Sequence, residues 1–265
     1  MFGHLSPGSK DLLTATSARA GRISRLLLWG ALGLLLIGAS LLLDVPVARA
    51  LTIDSHPLLR SLAHFISHLG EGWLVATVGA LGAILLALLG RTQAARIVFL
   101  VAAVGLLTGA TATVLRSLIG RTRPNAHIPQ GVYGIRYDSH WIIGKSEFAS
   151  FPSGHAATVV GLAAAAWLCN RRFGLAAGVY AALVSWSRLA QGVHHFSDIV
   201  AACILGAAGA QILLPSTNHW LGFLQRVFDK ARCGPVPNTC HPRLRPLALR
   251  WWQGDQPMTI NRDRR

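Results

Sequence analysis

Long apolar runs separated by short polar stretches dominate the chain up to residue 214. A helix needs about 20 apolar residues to cross a bilayer, and within lipid it satisfies its own backbone polar groups. Six runs approach that length, and they cover residues 24–44, 72–90, 95–118, 154–170, 173–191 and 196–214. The pattern therefore predicts an all-α integral membrane protein, built as a bundle of six transmembrane helices.

The runs divide the chain into three predicted parts. Residues 24–214 form the membrane domain, which follows a basic segment at residues 1–23. Residues 215–265 form a basic tail without sustained apolar periodicity, and we predict that it is a partly disordered extension lying on the anionic membrane surface.

Charge placement orients the predicted bundle. The formal net charge is +15, and many of the basic residues lie in the N-terminal segment and the tail. The positive-inside rule puts both of these termini in the cytoplasm, so residues 45–71, 119–153 and 192–195 face the periplasm or exterior. We expect a protein of the inner (plasma) membrane. Because the charges flank apolar runs, anionic lipids are better partners than nucleic acid.

Three polar clusters lie at the outer face in this topology. Each sits at the end of a predicted helix, so the clusters share one membrane depth. They comprise Arg116, Arg121 and Arg123 at the outer end of the third run, Ser153, Gly154 and His155 at the start of the fourth, and Arg188, His194, His195 and Asp198 from the end of the fifth to the start of the sixth. Cations on the outer side oppose the positive-inside rule, and bound anions are one reason to keep them there.

The residue types in these clusters suit phosphoryl chemistry. Arginine forks match phosphate oxygens, Ser153 adds a hydroxyl, and Gly154 lets the backbone approach an anion at a helix N-terminus. His194 and Asp198 are four apart and would share a helix face, so the carboxylate could fix the imidazole tautomer and leave a nucleophilic nitrogen. His155 could protonate a leaving oxygen.

In chain order, the clusters resemble the motifs of the type 2 phosphatidic acid phosphatase superfamily, the lipid phosphate phosphatases. The first motif, Lys-x6-Arg-Pro, corresponds to residues 116–124, and the second, Pro-Ser-Gly-His, to residues 152–155. The third, Ser-Arg-x5-His-x3-Asp, corresponds to residues 187–198. The resemblance covers roughly residues 95–214. One departure is Arg116, where the family usually has lysine; the charge is kept, but a guanidinium binds as a fork and changes the geometry offered to substrate.

The resemblance implies a mechanism without a metal or other cofactor. His194 would attack phosphorus to form a phosphohistidine, Asp198 would orient it, and His155 would protonate the leaving group and later activate water. The implied phosphate-binding residues are Arg116, Arg123, Ser153, Gly154 and Arg188. Among the lipid substrates that the family implies, we place undecaprenyl diphosphate first, ahead of phosphatidylglycerol phosphate, phosphatidic acid and the phosphates of lipid A.

Some of these residues also have simpler interpretations. Arg121 matches no position that the family requires, so we interpret it as a flank charge that extends to the interface. Ser153 could cap the following helix, which is compatible with binding phosphate. His195 could also reach Asp198 on a helix, so it stays open as a nucleophile beside His194.

Two other functions fit the same clusters. One is a metal-dependent membrane hydrolase with His155, His194, His195 and Asp198 as ligands, although neighbouring arginines would oppose a dication. The other is a transporter or scaffold that binds a phosphorylated lipid without hydrolysing it, because ionisable groups within a membrane also mark transport paths.

Overall fold

The computed structural model describes residues 24, 27–53 and 56–232, and for residues 215–232 it describes the backbone alone. The predicted cytoplasmic segment 1–23 and the end of the predicted tail, 233–265, lie outside these residues. The boundaries of the three predicted parts therefore stay predictions.

Helices make up most of the described residues. They are α1 (Leu27–Leu41), α2 (Asp44–Leu51), α3 (Pro57–Leu69), α4 (Gly72–Leu88), α5 (Thr92–Ile119), α6 (Gly154–Cys169), α7 (Arg171–Ala190) and α8 (Phe196–Arg232). The loop between α5 and α6 holds an antiparallel pair of two-residue strands, β1 (Arg136–Tyr137) and β2 (His140–Trp141), and a 3-10 turn at Ser146–Phe148.

By length and composition, three of the described helices can cross a membrane. They are α5, α7 and the Phe196–Leu214 part of α8. Two bent pairs, α1 with α2 and α3 with α4, also qualify if each pair is one span, which gives up to five. The apolar helix α6 has 16 residues, fewer than the usual span. The predicted helical membrane architecture is confirmed, whereas the number of six spans stays a prediction.

Two segments differ from the sequence prediction. Residues 45–71, predicted as an outer loop, are mostly helical, because they contain most of α2 and all of α3. Neither helix is long enough to register as a membrane run, and α3 buries the small residues Ala63 and Ser67 while the large apolar residues Leu58 and Phe65 are exposed. In addition, α8 continues past residue 214 to Arg232, so the helix extends into the predicted tail.

The short helix α6 lies at the centre of the bundle, where it packs against α5, α7 and α8. Small side chains let the backbones approach closely. A Cβ atom added at Gly109 of α5 would lie 1.9 Å from Oγ1 of Thr158, and one added at Gly161 would lie 2.1 Å from Oγ1 of Thr108. The Thr108 hydroxyl donates to the carbonyl oxygen of Ala157 at 3.0 Å. This contact fixes α6 against α5.

Gly120 ends α5 and directs the chain into the loop that carries Arg121 and Arg123. Its φ is 60°, in the left-handed region, and its N–H donates to the Arg116 carbonyl at 3.1 Å. A Cβ atom at Gly120 would lie 1.9 Å from the carbonyl oxygen of Gly134. Glycine is therefore required by both the backbone conformation and the space.

Gly120→Ala is expected to lower the free energy of unfolding by about 2–4 kcal/mol, since it adds a steric clash to left-handed strain. Gly90→Ala is the matched control, because Gly90 has φ 72° and no atom of the described residues lies within 4 Å of its Cβ position, so only strain of about 1–2 kcal/mol applies. Thermal unfolding of the purified variants measures both. Equal destabilisation by the two substitutions would contradict the contact with Gly134.

Candidate active site

The three clusters meet at one end of the bundle, where hydrogen bonds join their backbones. The Ser153 N–H donates to the Asp198 carbonyl at 3.3 Å, which links the start of α6 to the start of α8. The Ser150 N–H donates to the Arg121 carbonyl at 3.1 Å, and the Arg123 N–H to the Glu147 carbonyl at 2.9 Å. The loop after α5 is therefore held against the entry to α6.

His194 lies in the turn before α8 and is buried. Its Nδ1 atom is 2.8 Å from the carbonyl oxygen of Ser150 and 3.5 Å from Oδ2 of Asp198. The shorter contact is the hydrogen bond, and the longer one is electrostatic. A carbonyl oxygen can only accept, so Nδ1 carries the proton and Nε2 of the neutral ring carries a lone pair.

The predicted reason for the His194–Asp198 contact was wrong, although the two side chains do meet. His194 precedes α8, so the pair does not share a helix face. Instead, Asp198 lies in the first turn of α8 and accepts from the His195 N–H at 2.8 Å. This reach back to the helix start resembles the carboxylate half of a capping box.

The Asp198 carboxylate is fully buried and has three hydrogen-bond donors besides the His194 contact. Oδ2 accepts from the Ser150 hydroxyl at 2.5 Å and from the His195 N–H, and Oδ1 accepts from Nη1 of Arg121 at 2.6 Å. Charge-assisted bonds of this kind stabilise a negative charge on the carboxylate. Ser150 thus serves both members of the pair, through its carbonyl and its hydroxyl.

Four buried side-chain polar atoms have no hydrogen-bond partner among the described residues. They are Nε of Arg123, Oγ of Ser153, Nε of Arg188 and Nε2 of His194. Buried polar atoms normally find partners, so a group without them calls for an explanation. All four belong to residues predicted to bind or attack phosphate, and an anion among them would accept from the arginine and serine donors.

A cavity of about 220 Å³ has Arg116, Gly154 and His155 in its wall, at the N-terminal end of α6. A Cβ atom at Gly154 would be 3.4 Å from Nη1 of Arg116, so the guanidinium lies directly against the N-terminus of α6. His155 is within electrostatic range of Arg188, His194 and Arg116. The cavity therefore has a cationic wall, a helix N-terminus and an imidazole.

Electrostatics keep the His194 ring neutral at neutral pH. Burial lowers the pKa of His194 to about 4, the contact with Asp198 opposes this shift, and the charges of Arg188 and Arg123 add to it. Burial, followed by the charge of Arg116, lowers the pKa of Arg123, yet an arginine stays protonated in proteins. The site thus combines fixed cations with an uncharged imidazole.

The structure bears on the alternative roles considered for His195, Ser153 and Arg121. Nε2 of His195 is 3.2 Å from the Thr122 carbonyl oxygen, whereas Nε2 of His194 has no partner among the described residues, which favours His194 as the nucleophile. Ser153 makes no side-chain capping bond to α6. Arg121, interpreted from sequence as a flank charge, is instead partly buried and paired with both Asp198 and Asp44, and that interpretation was wrong.

The structure adds residues that sequence reasoning missed. Ser67 on α3 accepts from Nη1 of Arg188, so α3 helps to hold a predicted phosphate ligand. Asp44 pairs with Arg121, and Ser150 holds His194 and Asp198. One sequence signal was available for Asp44, because an acidic residue at the end of a membrane run is rare and marks a local partner.

The metal-dependent alternative has no donor set in the part of the chain that the structure describes. No three histidine, cysteine or carboxylate side chains there lie close enough together to hold one metal ion. The proposed set of His155, His194, His195 and Asp198 is not assembled, because the His195 ring is directed to the Thr122 carbonyl.

The chain is similar in sequence to a known protein family and to two curated proteins. The PAP2 superfamily model matches residues 94–220. Lipid A 1-phosphatases of Rhizobium johnstonii and Rhizobium etli are 32% and 31% identical over 127 residues, which are 48% of this chain and 45% and 47% of those proteins. The match therefore spans less than half the length of these curated relatives.

Two solved structures are similar at low identity. Aquifex aeolicus LpxE is 22% identical, with a TM-score of 0.48 over 65% of this chain and 95% of that one. The first transmembrane PAP2 type phosphatidylglycerolphosphate phosphatase from Bacillus subtilis is 19% identical, with a TM-score of 0.48 over 72% of this chain and 94% of that one. The segment 94–220 that the PAP2 superfamily model matches carries all three motifs, in agreement with the sequence resemblance.

Proposed function

We propose that this protein is a membrane phosphatase that hydrolyses a phosphate or diphosphate group of a lipid through a phosphohistidine, without a metal. One observation carries the proposal: Nε2 of His194 holds a lone pair in a buried site, beside donors of Arg123, Ser153 and Arg188 that have no partner in the described part of the chain. A nucleophile beside unpaired cationic donors is the arrangement that phosphoryl transfer requires.

In the first step, Nε2 of His194 forms a bond to phosphorus while the bond between phosphorus and the lipid oxygen breaks. His155 gives its proton to the departing oxygen. The phosphorylated imidazole is cationic, and the Asp198 carboxylate 3.5 Å from Nδ1 stabilises that charge. The lipid leaves with the proton, and the phosphoryl group stays on the enzyme.

In the second step, water attacks phosphorus and His155 takes up its proton. The nitrogen–phosphorus bond breaks, inorganic phosphate leaves, and His194 returns to its neutral form. Arg116, Arg123 and Arg188 stabilise the phosphoryl oxygens in both steps, as preorganised charges in a buried site do.

Two lipid substrates are the leading candidates. The predicted six spans and outward-facing site led us to place undecaprenyl diphosphate first, while the relatives named lipid A 1-phosphatases favour the 1-phosphate of lipid A. We further propose that six spans place both termini in the cytoplasm and the site at the periplasmic or exterior face of the inner membrane. Access from that face suits a lipid exposed in the outer leaflet.

Phosphate release by the purified full-length protein tests the function. The assay uses undecaprenyl diphosphate, lipid A, phosphatidylglycerol phosphate and phosphatidic acid, each with and without a chelator. We expect release from at least one lipid, unchanged by chelator, and a protein-bound phosphoryl group that is acid-labile and base-stable. Activity lost with chelator and restored by a divalent metal would favour the metal-dependent alternative. Binding of lipid without phosphate release would favour a transporter or scaffold.

Restoring the family lysine tests the role of Arg116. Arg116→Lys is expected to keep kcat/KM within about tenfold, because charge is retained, whereas Arg116→Met should lower it by roughly 10²–10³-fold through loss of a charge-stabilising donor. The lipid panel measures both variants, with Arg91→Met, at an exposed site, as the control. If Arg116→Met matched wild type on every lipid, Arg116 would have no role in binding phosphate.

A further inference from the structure

A buried chain of charges runs behind the candidate site, through Asp198, Arg121 and Asp44. Nη1 of Arg121 donates to Oδ1 of Asp198 at 2.6 Å, and Nη2 donates to Oδ2 of Asp44 at 2.7 Å. The side chains of Asp198, Asp44 and Arg121 are 0%, 8% and 13% exposed. One guanidinium therefore bridges two buried carboxylates.

Ser197 closes this bridge. Its N–H donates to Oδ1 of Asp44 and its hydroxyl to Oδ2, both at 2.8 Å, while the same hydroxyl accepts from Nη1 of Arg121 at 2.7 Å. Asp44 begins α2 at the bend after α1, and Ser197 lies in the first turn of α8. The bend in the α1–α2 pair is thus joined to the helix start that carries Asp198.

The bridge determines how the Asp198 carboxylate is turned. Because Arg121 holds Oδ1, the other oxygen faces the Ser150 hydroxyl, the His195 N–H and Nδ1 of His194. Arg121 could not keep that orientation with one partner alone, since a planar fork is fixed by contacts at both of its ends. Asp44 supplies the second contact.

Charge balance supports the same arrangement. Arg121 and Asp198 alone would form a neutral buried pair, and Asp44 adds one negative charge to it. That excess charge is joined to Asp198 through the guanidinium of Arg121. It would offset the positive charge that forms on His194 when the ring is phosphorylated.

We propose that Arg121 and Asp44 are positioning residues that hold Asp198 in the orientation that stabilises cationic His194. This inference rests on the proposed function, in that His194 is the nucleophile. Neither residue touches the substrate, so both act through Asp198. Their effect should fall on the rate of the chemical step and not on substrate binding.

Asp44→Asn and Arg121→Lys are the informative variants. Asparagine leaves the Arg121–Asp198 pair intact, and lysine keeps the charge but lacks the fork, so both avoid leaving a buried carboxylate without a cation. We expect each to lower kcat by roughly 10–100-fold with KM nearly unchanged, as loss of an orienting partner does. The kcat of the double variant should be no lower than that of the less active single variant, because both substitutions break the same bridge.

Asp138→Asn and Arg91→Lys are matched controls, with the same chemical changes at exposed positions. They should retain wild-type kcat. Thermal unfolding separates positioning from folding: a loss of activity that parallels a loss of folded protein would overturn the proposal, as would a kcat for Asp44→Asn within about twofold of wild type.

Nitrogen NMR of histidine-labelled protein gives a readout that does not depend on turnover. His194 is assigned by its absence in His194→Ala, and its ring resonances should move in Asp44→Asn and Arg121→Lys but not in the controls. Unmoved resonances in both variants would overturn the positioning role. If wild type released no phosphate from any lipid, the proposed function would fail, and the resonances would still decide whether Asp44 and Arg121 orient the pair.

Discussion

His194→Ala is expected to lower phosphate release by roughly 10⁴-fold or more, the scale seen when a nucleophile acting with its partners is removed. The reason is local: Nδ1 is fixed as a donor by the Ser150 carbonyl, so Nε2 is the atom that can attack phosphorus. Alanine removes that atom and leaves the arginines in place. Substrate binding should therefore persist while turnover stops, and rate and lipid-binding measurements on the same sample check this.

The neighbouring histidine provides the sharpest comparison. His195 contacts Asp198 through its backbone N–H, which alanine retains, and its ring contacts the Thr122 carbonyl. His195→Ala should therefore keep most of the activity and still form the phosphoenzyme. His64→Ala, at an exposed position on α3, is a control for loss of an imidazole. If His195→Ala abolished the phosphoenzyme and His194→Ala retained it, the assignment of the nucleophile would be reversed.

The low pKa of His194 predicts the direction in which activity changes with pH. Because burial depresses the pKa of His194 to about 4, the free enzyme holds this ring neutral above that pH and protonates it below. Protonation removes the lone pair, so nucleophilic competence falls only as pH drops through about 4. An unperturbed imidazole would lose it near pH 6.5 instead.

Much of the site could be predicted from sequence because its motifs lie at helix ends. Polar groups between long apolar runs are confined to the ends of the helices, and in this chain all three clusters meet at one end of the bundle. The residues with orphaned atoms, Arg123, Ser153, Arg188 and His194, all belong to those motifs. Apolar length and motif order thus located the groups that meet at this end of the bundle.

The supporting residues escaped prediction for a physical reason. Arg121 bonds to Asp44, 77 positions earlier, and to Asp198, 77 positions later, and no periodicity records such separations. Hydropathy likewise missed α2 and α3, since each is too short to resemble a span. Both helices nevertheless matter, because α2 carries Asp44 and α3 carries the Ser67 hydroxyl that holds Arg188.

His155→Ala is expected to lower hydrolysis of a lipid monophosphate by roughly 10²–10⁴-fold, the usual contribution of general acid–base catalysis. The size of the effect should depend on the leaving group. An alcohol departs poorly without a proton, whereas a phosphate leaving from a diphosphate needs little help. The variant should therefore impair monophosphate hydrolysis more than diphosphate hydrolysis, and initial rates on matched lipids measure the difference.

An aryl phosphate analogue separates the two steps that His155 serves. An aryl oxide leaves without a proton, so in His155→Ala the transfer of the phosphoryl group to His194 should stay rapid. Hydrolysis of the phosphoenzyme should then be slow, because no base activates the attacking water. A stoichiometric burst of the phenol followed by slow turnover is the expected trace, with phosphoenzyme accumulating. The cavity places His155 beside Arg116 and Gly154, where the departing oxygen and the incoming water would share one face of phosphorus. Slow, burst-free release from the analogue would show instead that His155 acts before phosphorylation, through binding or the orientation of the phosphate.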